Sequence, residues 1–544
     1  MAEALCRTAA LHRGRRAGKG LAERLMTNDK RTEAVVRRLL RGSLSNYLGK
    51  FIALAAWFFL TPFMLQQLGA TVYGLWVLAS SVAAYGWLFD FGIAAALTKY
   101  IAEYRATGQA DQAKILIVTG LYLYSALGLM VIALSATLAP IFPDLFSIAP
   151  DQHAMATQLV LLSGLEVGLA IPCATTQAIL RGLHRFELAN LLSSISTIVS
   201  VTAMAAILVL GGGVIGLMLV GIAVMLIMQV PSIWCIHRIA PELRVGWRGA
   251  SWQGAQTLAS FSSWLFVLRI GGYLEMKTDE IVIGAFLPID AVARYNIARK
   301  LSTLPQMLTE QLVRVLLPLA SELHAERDMA RLRSLYIVSM RLTLVIILAV
   351  SCPLMLLPQA ILTAWVGASY ADAAHLVLIL TLASLIDTSQ WPAGLVLQGM
   401  AQHRVPSVLS IYTGVANIVL SIVLVHFLGL TGIALGTLIP TSIVCLGFVL
   451  PYTMRIIGIS RRAVVVESFL PAVWPAIPMV LVTYMLREAL EPTSLFSIVA
   501  LVGLSLLVYV IGYLSMGASE LERQTYRSFA LSTLRSAELH LKRW

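Results

Sequence analysis

Long apolar runs alternate with short polar segments from about residue 44 to residue 516. Each run has about 18 residues or more, enough for a helix to cross a hydrocarbon layer about 30 Å thick. Backbone amides and carbonyls must be paired inside lipid, so each run is predicted to be a helix. The pattern predicts an all-α polytopic membrane protein with fourteen transmembrane helices, numbered here as spans 1 to 14, near residues 44–68, 72–97, 113–140, 155–181, 188–211, 213–236, 257–287, 291–318, 336–358, 373–398, 405–428, 430–454, 466–487 and 493–516.

Basic residues occupy alternate segments between these runs. One set of segments carries most of the arginines and lysines, among them Arg105, Arg238 and Arg461. The other set is short and nearly uncharged or acidic, as in LGGG and LPIDA. Loops rich in lysine and arginine stay on the cytoplasmic side. Both termini are therefore predicted to be cytoplasmic, which requires an even number of spans.

Composition supports the membrane class. Hydrophobic residues make up 58% of the 544 positions and charged residues 12%, and the mean hydropathy is +0.81. Soluble domains carry about 25% charged residues. The net charge of +12 is confined to segments between the runs, which favours membrane topology over nucleic-acid binding. The basic residues 1–43 and 517–544 are predicted to be a cytoplasmic arm and tail. The five cysteines have no paired spacing and are predicted to be free thiols without a metal site.

An internal repeat divides the chain. LRGLHRFELANLL, from residue 180, and LQGMAQHRVPSVL, from residue 397, are similar, and Gly212/Gly432 and Pro231/Pro451 are each 220 apart. This predicts two pseudo-symmetric six-helix bundles with the same topology, at 44–238 and 239–456, and two further C-terminal helices at 457–516. Transporters built from such repeats bind substrate between the halves near mid-membrane.

The polar segments give no support to an enzyme. They are too short to fold as separate domains. The chain has no Gly-rich phosphate loop, metal-ligand cluster or nucleophile motif. We therefore expect no catalytic residues and no cofactor. Energy would come from an ion gradient or from the substrate gradient, unless a partner supplies it.

Ionisable residues inside the spans are the candidate site, because such groups usually face a cavity or a partner. At 100° per residue, polar residues of spans 1, 7 and 8 form stripes that predict a wet, positively charged wall. The predicted substrate cavity contains Lys50, Asp90, Arg269, Tyr295, Arg299, Gln306 and Arg314. An alternative for Asp90 is a structural pair with Lys50, and Arg314 could simply pair with a glutamate four residues earlier.

Acidic residues are the candidates for ion coupling. Glu166 and Asp387 are 221 apart, as are Gln177 and Gln398, so each half carries one acid at an equivalent position. The predicted coupling groups are Glu166, Glu280, Glu310 and Asp387. The alternative for Glu166 and Asp387 is that they are protonated and hold helices together by hydrogen bonds.

Two stretches resemble a known family. GATVYGLWVLASSVAAYGWLFDFGIAAALTKYIAE, in span 2, and DEIVIGAFLPIDAVARYNIARKL, at residues 279–301, are similar to polysaccharide-repeat (O-antigen or exopolysaccharide, Wzx-type) flippases of the multidrug/oligosaccharidyl-lipid/polysaccharide exporter superfamily. The resemblance covers residues 43–516. It implies alternating access between two lobes, driven by a proton or sodium gradient.

The resemblance also implies a substrate and partners. The substrate would be an undecaprenyl-diphosphate-linked oligosaccharide, moved across the bacterial inner membrane for lipopolysaccharide or exopolysaccharide synthesis, beside a polymerase and glycosyltransferases. A diphosphate suits arginine, which binds phosphate through its forked guanidinium. The alternatives are a multidrug/cation exporter of the same superfamily, which would need an acidic cavity, and a membrane enzyme of polysaccharide assembly, which would need a sizeable loop.

Overall fold

The computed structural model describes Gly49 and residues 51–243, 249–402, 404–518 and 523. Helices make up nearly all of these residues, and none of them lies in a strand. The predicted arm at 1–43, Lys50 and nearly all of the predicted tail lie outside the described residues. The longer helical segments are Phe51–Ala106, Ala110–Leu138, Pro150–Gly182, Phe186–Val209, Gly213–Ile239, Trp252–Phe286, Ile289–Ser302, Leu304–Val313, Leu316–Ala325, Met329–Leu356, Pro358–Val366, Ala368–Gly399, Arg404–Leu428, Leu430–Ile457, Arg461–Leu490 and Leu495–Gly517.

The chain is a multi-pass membrane protein. Within the described part of the chain, eleven helical segments are long and apolar enough to cross a membrane. The first of them, Phe51–Ala106, contains a hairpin: Gly69 has a φ of +76°, and the rings of Trp57 and Trp76 lie 6.4 Å apart. An unbroken helix would separate these two residues by about 28 Å. The all-α prediction is confirmed, and the count of fourteen and the domain bounds stay predictions.

Span 2 is broken, which the sequence pattern did not predict. A 3-10 turn at Tyr85–Asp90 is followed by two residues of positive φ, Phe91 at 45° and Gly92 at 83°, before the helix resumes at Ile93. Glycine adopts this left-handed conformation without steric cost, and phenylalanine does not. The helix therefore changes direction directly after Asp90.

Span 8 is broken as well. It consists of Ile289–Ser302, Leu304–Val313 and Leu316–Ala325 rather than one helix. Pro305 follows the first break, and proline lacks the amide hydrogen that would continue the helix. The predicted stripe is kept in part, because Arg299, Gln306 and Glu310, on both sides of the first break, line the same cavity. At the repeat distance of 220, the break of span 2 at Phe91 and Gly92 corresponds to Gln311 and Leu312, just before the second break of span 8.

The turns between successive helices lie alternately at two opposite ends of the protein, which differ in charge. The charge-poor end holds the turns near Gly69, Gly429 and residues 139–149, 210–212, 287–288, 367–373 and 491–494. The basic end holds those at 107–109, 183–185, 240–243, 249–251, 326–328, 400–402 and 458–460. These two names are used below.

Among the described residues, buried apolar side chains form three clusters, which differ in the halves that they include. One cluster lies towards the charge-poor end and includes both halves, for example Leu78, Phe142, Ile283 and Leu376. A second, around Leu97 and Ile179, belongs to the first half at the basic end, with Leu258 of span 7. A third, around Tyr336 and Met454, belongs to the second half and the C-terminal helices. The halves thus share a core at the charge-poor end and have separate cores at the basic end.

Spans 3 and 4 pack closely where two glycines face each other. A Cβ placed on Gly128 would lie 2.2 Å from the carbonyl oxygen of Gly168. We expect Gly128→Leu to force the helices apart and to cost about 1–3 kcal/mol, as overpacked side chains do. Thermal unfolding of the purified protein in detergent measures this. Gly503→Leu is the control, because nothing lies within 4 Å of a Cβ there. Equal melting temperatures of the two variants would contradict the expectation.

Candidate functional site

Two buried carboxylates share one arginine between spans 7 and 8. Asp279 and Glu280 are each 1% exposed, and Nη1 of Arg299 lies 3.3 Å from the Asp279 carboxylate and 3.4 Å from that of Glu280. The Tyr295 hydroxyl donates to Asp279 at 2.6 Å, and the Thr437 hydroxyl donates to the same oxygen at 3.1 Å. We call these five residues the acid–arginine cluster.

The acid–arginine cluster shows the surroundings of one residue of the predicted cationic wall. Two carboxylates face one guanidinium, so Arg299 is neutralised where it stands. Tyr295, predicted to line the cavity, is fully buried. Buried charges are tolerated only when paired and hydrogen-bonded. Arg299 therefore holds spans 7 and 8 together in this conformation, besides lining a cavity.

Two adjoining cavities run through the second half. Their volumes are about 520 and 490 Å³, and both are lined by Glu310, Asp387, Trp391 and Thr441. We call them together the second-half groove. Its deeper part reaches Arg299 of the acid–arginine cluster, and its other part reaches Gln398, close to the basic end.

The groove contains most of the predicted polar residues of the second half. The Gln306 side chain donates to Asp387 at 3.3 Å, and the Trp391 indole donates to the same oxygen at 3.0 Å. Arg314 and Glu310 form an ion pair one helical turn apart. The alternative of a local pair for Arg314 is therefore supported. Both side chains of that pair line the groove, so it stands beside the space a ligand would occupy.

The first half has an equivalent cavity of about 370 Å³. Its lining residues match those of the second-half groove at the repeat distance. The pairs 221 apart are Glu166/Asp387 and Gln177/Gln398, and the pairs 220 apart are Ser193/Thr413, Gly221/Thr441 and Met225/Cys445. The sequence repeat is thus also a repeat of cavities. Glu166 and Asp387 line equivalent positions in them, as their spacing predicted.

Asp90 is buried against span 3. It is 4% exposed and accepts a hydrogen bond from the Tyr124 hydroxyl, inside the first half. Asp90 therefore fixes the broken helix to its neighbour. The alternative pair with Lys50 stays a prediction, because Lys50 lies outside the described residues.

The side chains of two predicted site residues lie outside the part of the protein that the structure describes. Lys50 is not among the described residues, and the side chain of Arg269 is not described either, although its backbone belongs to the helix Trp252–Phe286. Four cysteines are free thiols, as predicted: Cys173, Cys235, Cys352 and Cys445. Cys6 lies outside the described residues.

Lys300 is a site residue that the sequence reasoning missed. Its ammonium group, from span 8, donates to the hydroxyls of Thr61 at 3.0 Å and Tyr73 at 2.9 Å, both in the first half. It also lies 5.4 Å from the centre of the Trp57 ring, within the range of a cation–π contact. Selecting one face of span 8 excluded Lys300, because it lies 100° from Arg299. The residue joins the two halves near the charge-poor end.

The sequence is similar to a protein-family model and to individual membrane proteins. A family model described as polysaccharide biosynthesis protein matches residues 39–324. A probable low-salt glycan biosynthesis flippase of Haloferax volcanii is 21% identical over 210 residues, which cover 39% of this chain and 44% of that protein. An uncharacterized membrane protein of Bacillus subtilis, EpsK, is 21% identical over 426 residues, covering 76% of this chain and 82% of the relative. The alignment spans less than half the length of the Haloferax protein.

Solved structures share the fold. The lipid II flippase MurJ in an inward closed conformation superposes with a TM-score of 0.67 at 15% identity, covering 87% of this chain and 98% of MurJ. An inward-facing multidrug resistance MATE family transporter of the MOP superfamily superposes with a TM-score of 0.61 at 17% identity, and the superposition covers 75% of this chain and 98% of the transporter. At these identities the similarity establishes the all-α fold and nothing further.

Proposed function

The chain belongs to the polysaccharide biosynthesis protein family, whose model matches more than half of its 544 residues, and on this premise we propose that it is a flippase for lipid-linked oligosaccharides. It would move undecaprenyl-diphosphate-linked repeat units across the bacterial inner membrane for surface polysaccharide synthesis. One structural observation carries the proposal: two equivalent cavity-bearing halves share a core at the charge-poor end and have separate cores at the basic end. Such halves can alternate between two openings.

The orientation assigns each end a role. We place the basic end in the cytoplasm, with both termini, because positively charged loops remain there. The conformation described is then closed towards the periplasm. The lipid tail stays in the bilayer while the head group passes between the halves.

The diphosphate would first meet arginines at the basic end of each cavity. Arg181 lines the first-half cavity, and Arg314 lines the second-half groove with 63% of its side chain exposed. Arginine binds phosphate oxygens through two parallel hydrogen bonds. Arg314 would exchange its contact with Glu310 for the diphosphate. Arg299, neutralised by two acids, becomes available when spans 7 and 8 rearrange.

Energy would come from a proton or Na⁺ gradient, with Glu166 and Asp387 as the coupling groups. Their equivalent positions let one ion act on each half. Amide replacement of both, Glu166→Gln with Asp387→Asn, should make transport in vesicles independent of an imposed gradient. Transport by the double variant that still responds to either gradient would contradict the assignment.

A vesicle assay tests the function. The purified protein is reconstituted with fluorescent undecaprenyl-diphosphate-linked saccharide, and dithionite quenches the label in the outer leaflet. We expect the quenched fraction to rise above the half seen in protein-free vesicles. No rise, with uptake of a cationic dye instead, would favour the multidrug exporter. A lipid product with a longer or shorter saccharide would favour the membrane enzyme of polysaccharide assembly.

A further inference from the structure

The second-half groove contains a flat aromatic surface among amides and hydroxyls. Trp391 lines both of its cavities. Gln390, Gln398, Ser410 and Thr413 line the part nearer the basic end. An indole offers a large apolar face, and it retains a polar edge for a hydrogen bond. Amides and hydroxyls both donate and accept. This combination suits a ligand with apolar ring faces and many hydroxyls.

Three buried polar atoms on the groove wall lack a hydrogen-bond partner among the described residues. They are Oε1 of Gln390, Oγ1 of Thr441 and Oγ of Ser384. All three residues are more than nine-tenths buried and line the groove. The amide nitrogen of Gln390 already donates to Ser389 at 3.0 Å, so its oxygen remains as an acceptor. Buried polar groups are normally satisfied, so each of these atoms has an unused hydrogen bond for a ligand or a water at the groove wall.

The indole is held in a defined orientation. The Trp391 ring nitrogen donates to Asp387, and the Gln306 amide donates to the same carboxylate oxygen. Asp387 is therefore a positioning residue for the ring. Because the ring nitrogen is used, the ring can offer a ligand its apolar face.

The first half lacks these groups at equivalent positions. Counting back 221 residues from Gln390 and Trp391 gives Leu169 and Ala170. Counting back 220 from Thr441 gives Gly221. The first-half cavity has an indole of its own, Trp57, beside amides and hydroxyls, but this indole stands at a different place in the repeat.

The groove has the dimensions of a ligand site. Each of its cavities, about 520 and 490 Å³, falls within the usual range of about 300–1,000 Å³ for small-molecule sites. Its lining follows span 10 from Leu380 to Gln398, roughly 25 Å at helical rise. That length accommodates several sugar rings in a row.

We propose that the second-half groove is a saccharide subsite in which Trp391 stacks on a sugar ring, while Gln390 and Thr441 hydrogen-bond its hydroxyls. This inference rests on the proposed function and names the part of the substrate that the groove holds. The diphosphate lies outside the groove's inner part, against the arginines of the basic end. Recognition of the sugar and recognition of the diphosphate are thereby separated in space.

Two lipid probes test the subsite. One is undecaprenyl diphosphate, and the other is the lipid-linked saccharide extracted from cells that make the polysaccharide. We expect Trp391→Leu to weaken binding of the saccharide lipid about tenfold and to leave binding of undecaprenyl diphosphate within about twofold. Trp391→Phe keeps an aromatic face and should retain most of the affinity. Trp474→Leu is the matched control, since Trp474 is exposed on the C-terminal helices.

The outcomes separate the two proposals. Selective loss for the saccharide lipid supports the subsite. Equal loss for both probes, or no loss for either, overturns the subsite while wild-type transport of the saccharide lipid leaves the flippase intact. Failure of the wild-type protein to bind or move the saccharide lipid overturns the proposed function and this inference with it. Unchanged binding of undecaprenyl diphosphate by Trp391→Leu also shows that the variant is folded.

Discussion

Replacing Arg299 with methionine is expected to destabilise the protein strongly and to abolish transport. The substitution leaves Asp279 and Glu280 buried beside each other with no guanidinium between them. Removing one partner of a buried ion pair costs about 3–5 kcal/mol, because the remaining charge keeps its desolvation cost. Thermal unfolding in detergent and the vesicle assay measure the two effects.

A triple variant of the acid–arginine cluster should restore stability without restoring transport, which separates the two effects. Combining Arg299→Met with Asp279→Asn and Glu280→Gln removes all three charges and should restore most of the stability, since replacing a whole buried ion pair by neutral groups is often nearly neutral. Transport should stay absent if Arg299 is needed for the substrate. Arg314→Met is the control for stability, because its exposed pair with Glu310 is worth at most about 1 kcal/mol. Equal melting temperatures for Arg299→Met and Arg314→Met would contradict this account.

Replacing Lys300 with methionine is expected to open the charge-poor end. Methionine keeps the length of the side chain but loses the hydrogen bonds to Thr61 and Tyr73 and the contact with the Trp57 ring. Losing about 1–2 kcal/mol of contact between the halves would shift the equilibrium about 5–30-fold towards the open form. A cysteine at position 78, in the shared core, should then react faster with a membrane-impermeant maleimide after the native cysteines are replaced.

An independent substitution should have the same effect. A Cβ on Gly74 would lie 2.3 Å from the carbonyl oxygen of Ile289, across the contact between the halves. Gly74→Leu should therefore open the same end by a steric route. Lys114→Met is the control, since Lys114 pairs with Asp111 near the basic end. If Lys300→Met and Gly74→Leu both label as slowly as the control, the contact does not hold the end closed.

The repeat allowed two equivalent cavity residues to be paired from the sequence, although the sequence analysis expected one cavity between the halves and not one within each half. Glu166 and Asp387 were paired by their separation of 221 residues, and the structure places both in equivalent cavities. Separation along the chain is independent of helix direction, so this argument did not depend on tertiary structure.

Helix breaks and packing limit what a helical-face pattern can predict. Span 8 breaks just before Pro305, yet Arg299, Gln306 and Glu310 on both sides still line one cavity, whereas Tyr295 of the same span is buried. One partner of Asp90 is Tyr124, 34 residues later in another helix, and spacing alone gave no reason to choose it. Lys300 was overlooked because a single face was chosen. Such contacts between helices depend on packing, which one sequence does not encode locally.

The apolar core shared by the two halves has a thermal consequence. Opening the charge-poor end transfers buried groups such as Leu78 and Ile283 towards water. Exposed apolar area raises the heat capacity by about 0.45 cal/K/mol for each Å². The balance between the two openings should therefore vary non-linearly with temperature, unless closure of the basic end buries an equal area. Calorimetry of substrate binding at several temperatures would report the difference between the two areas directly.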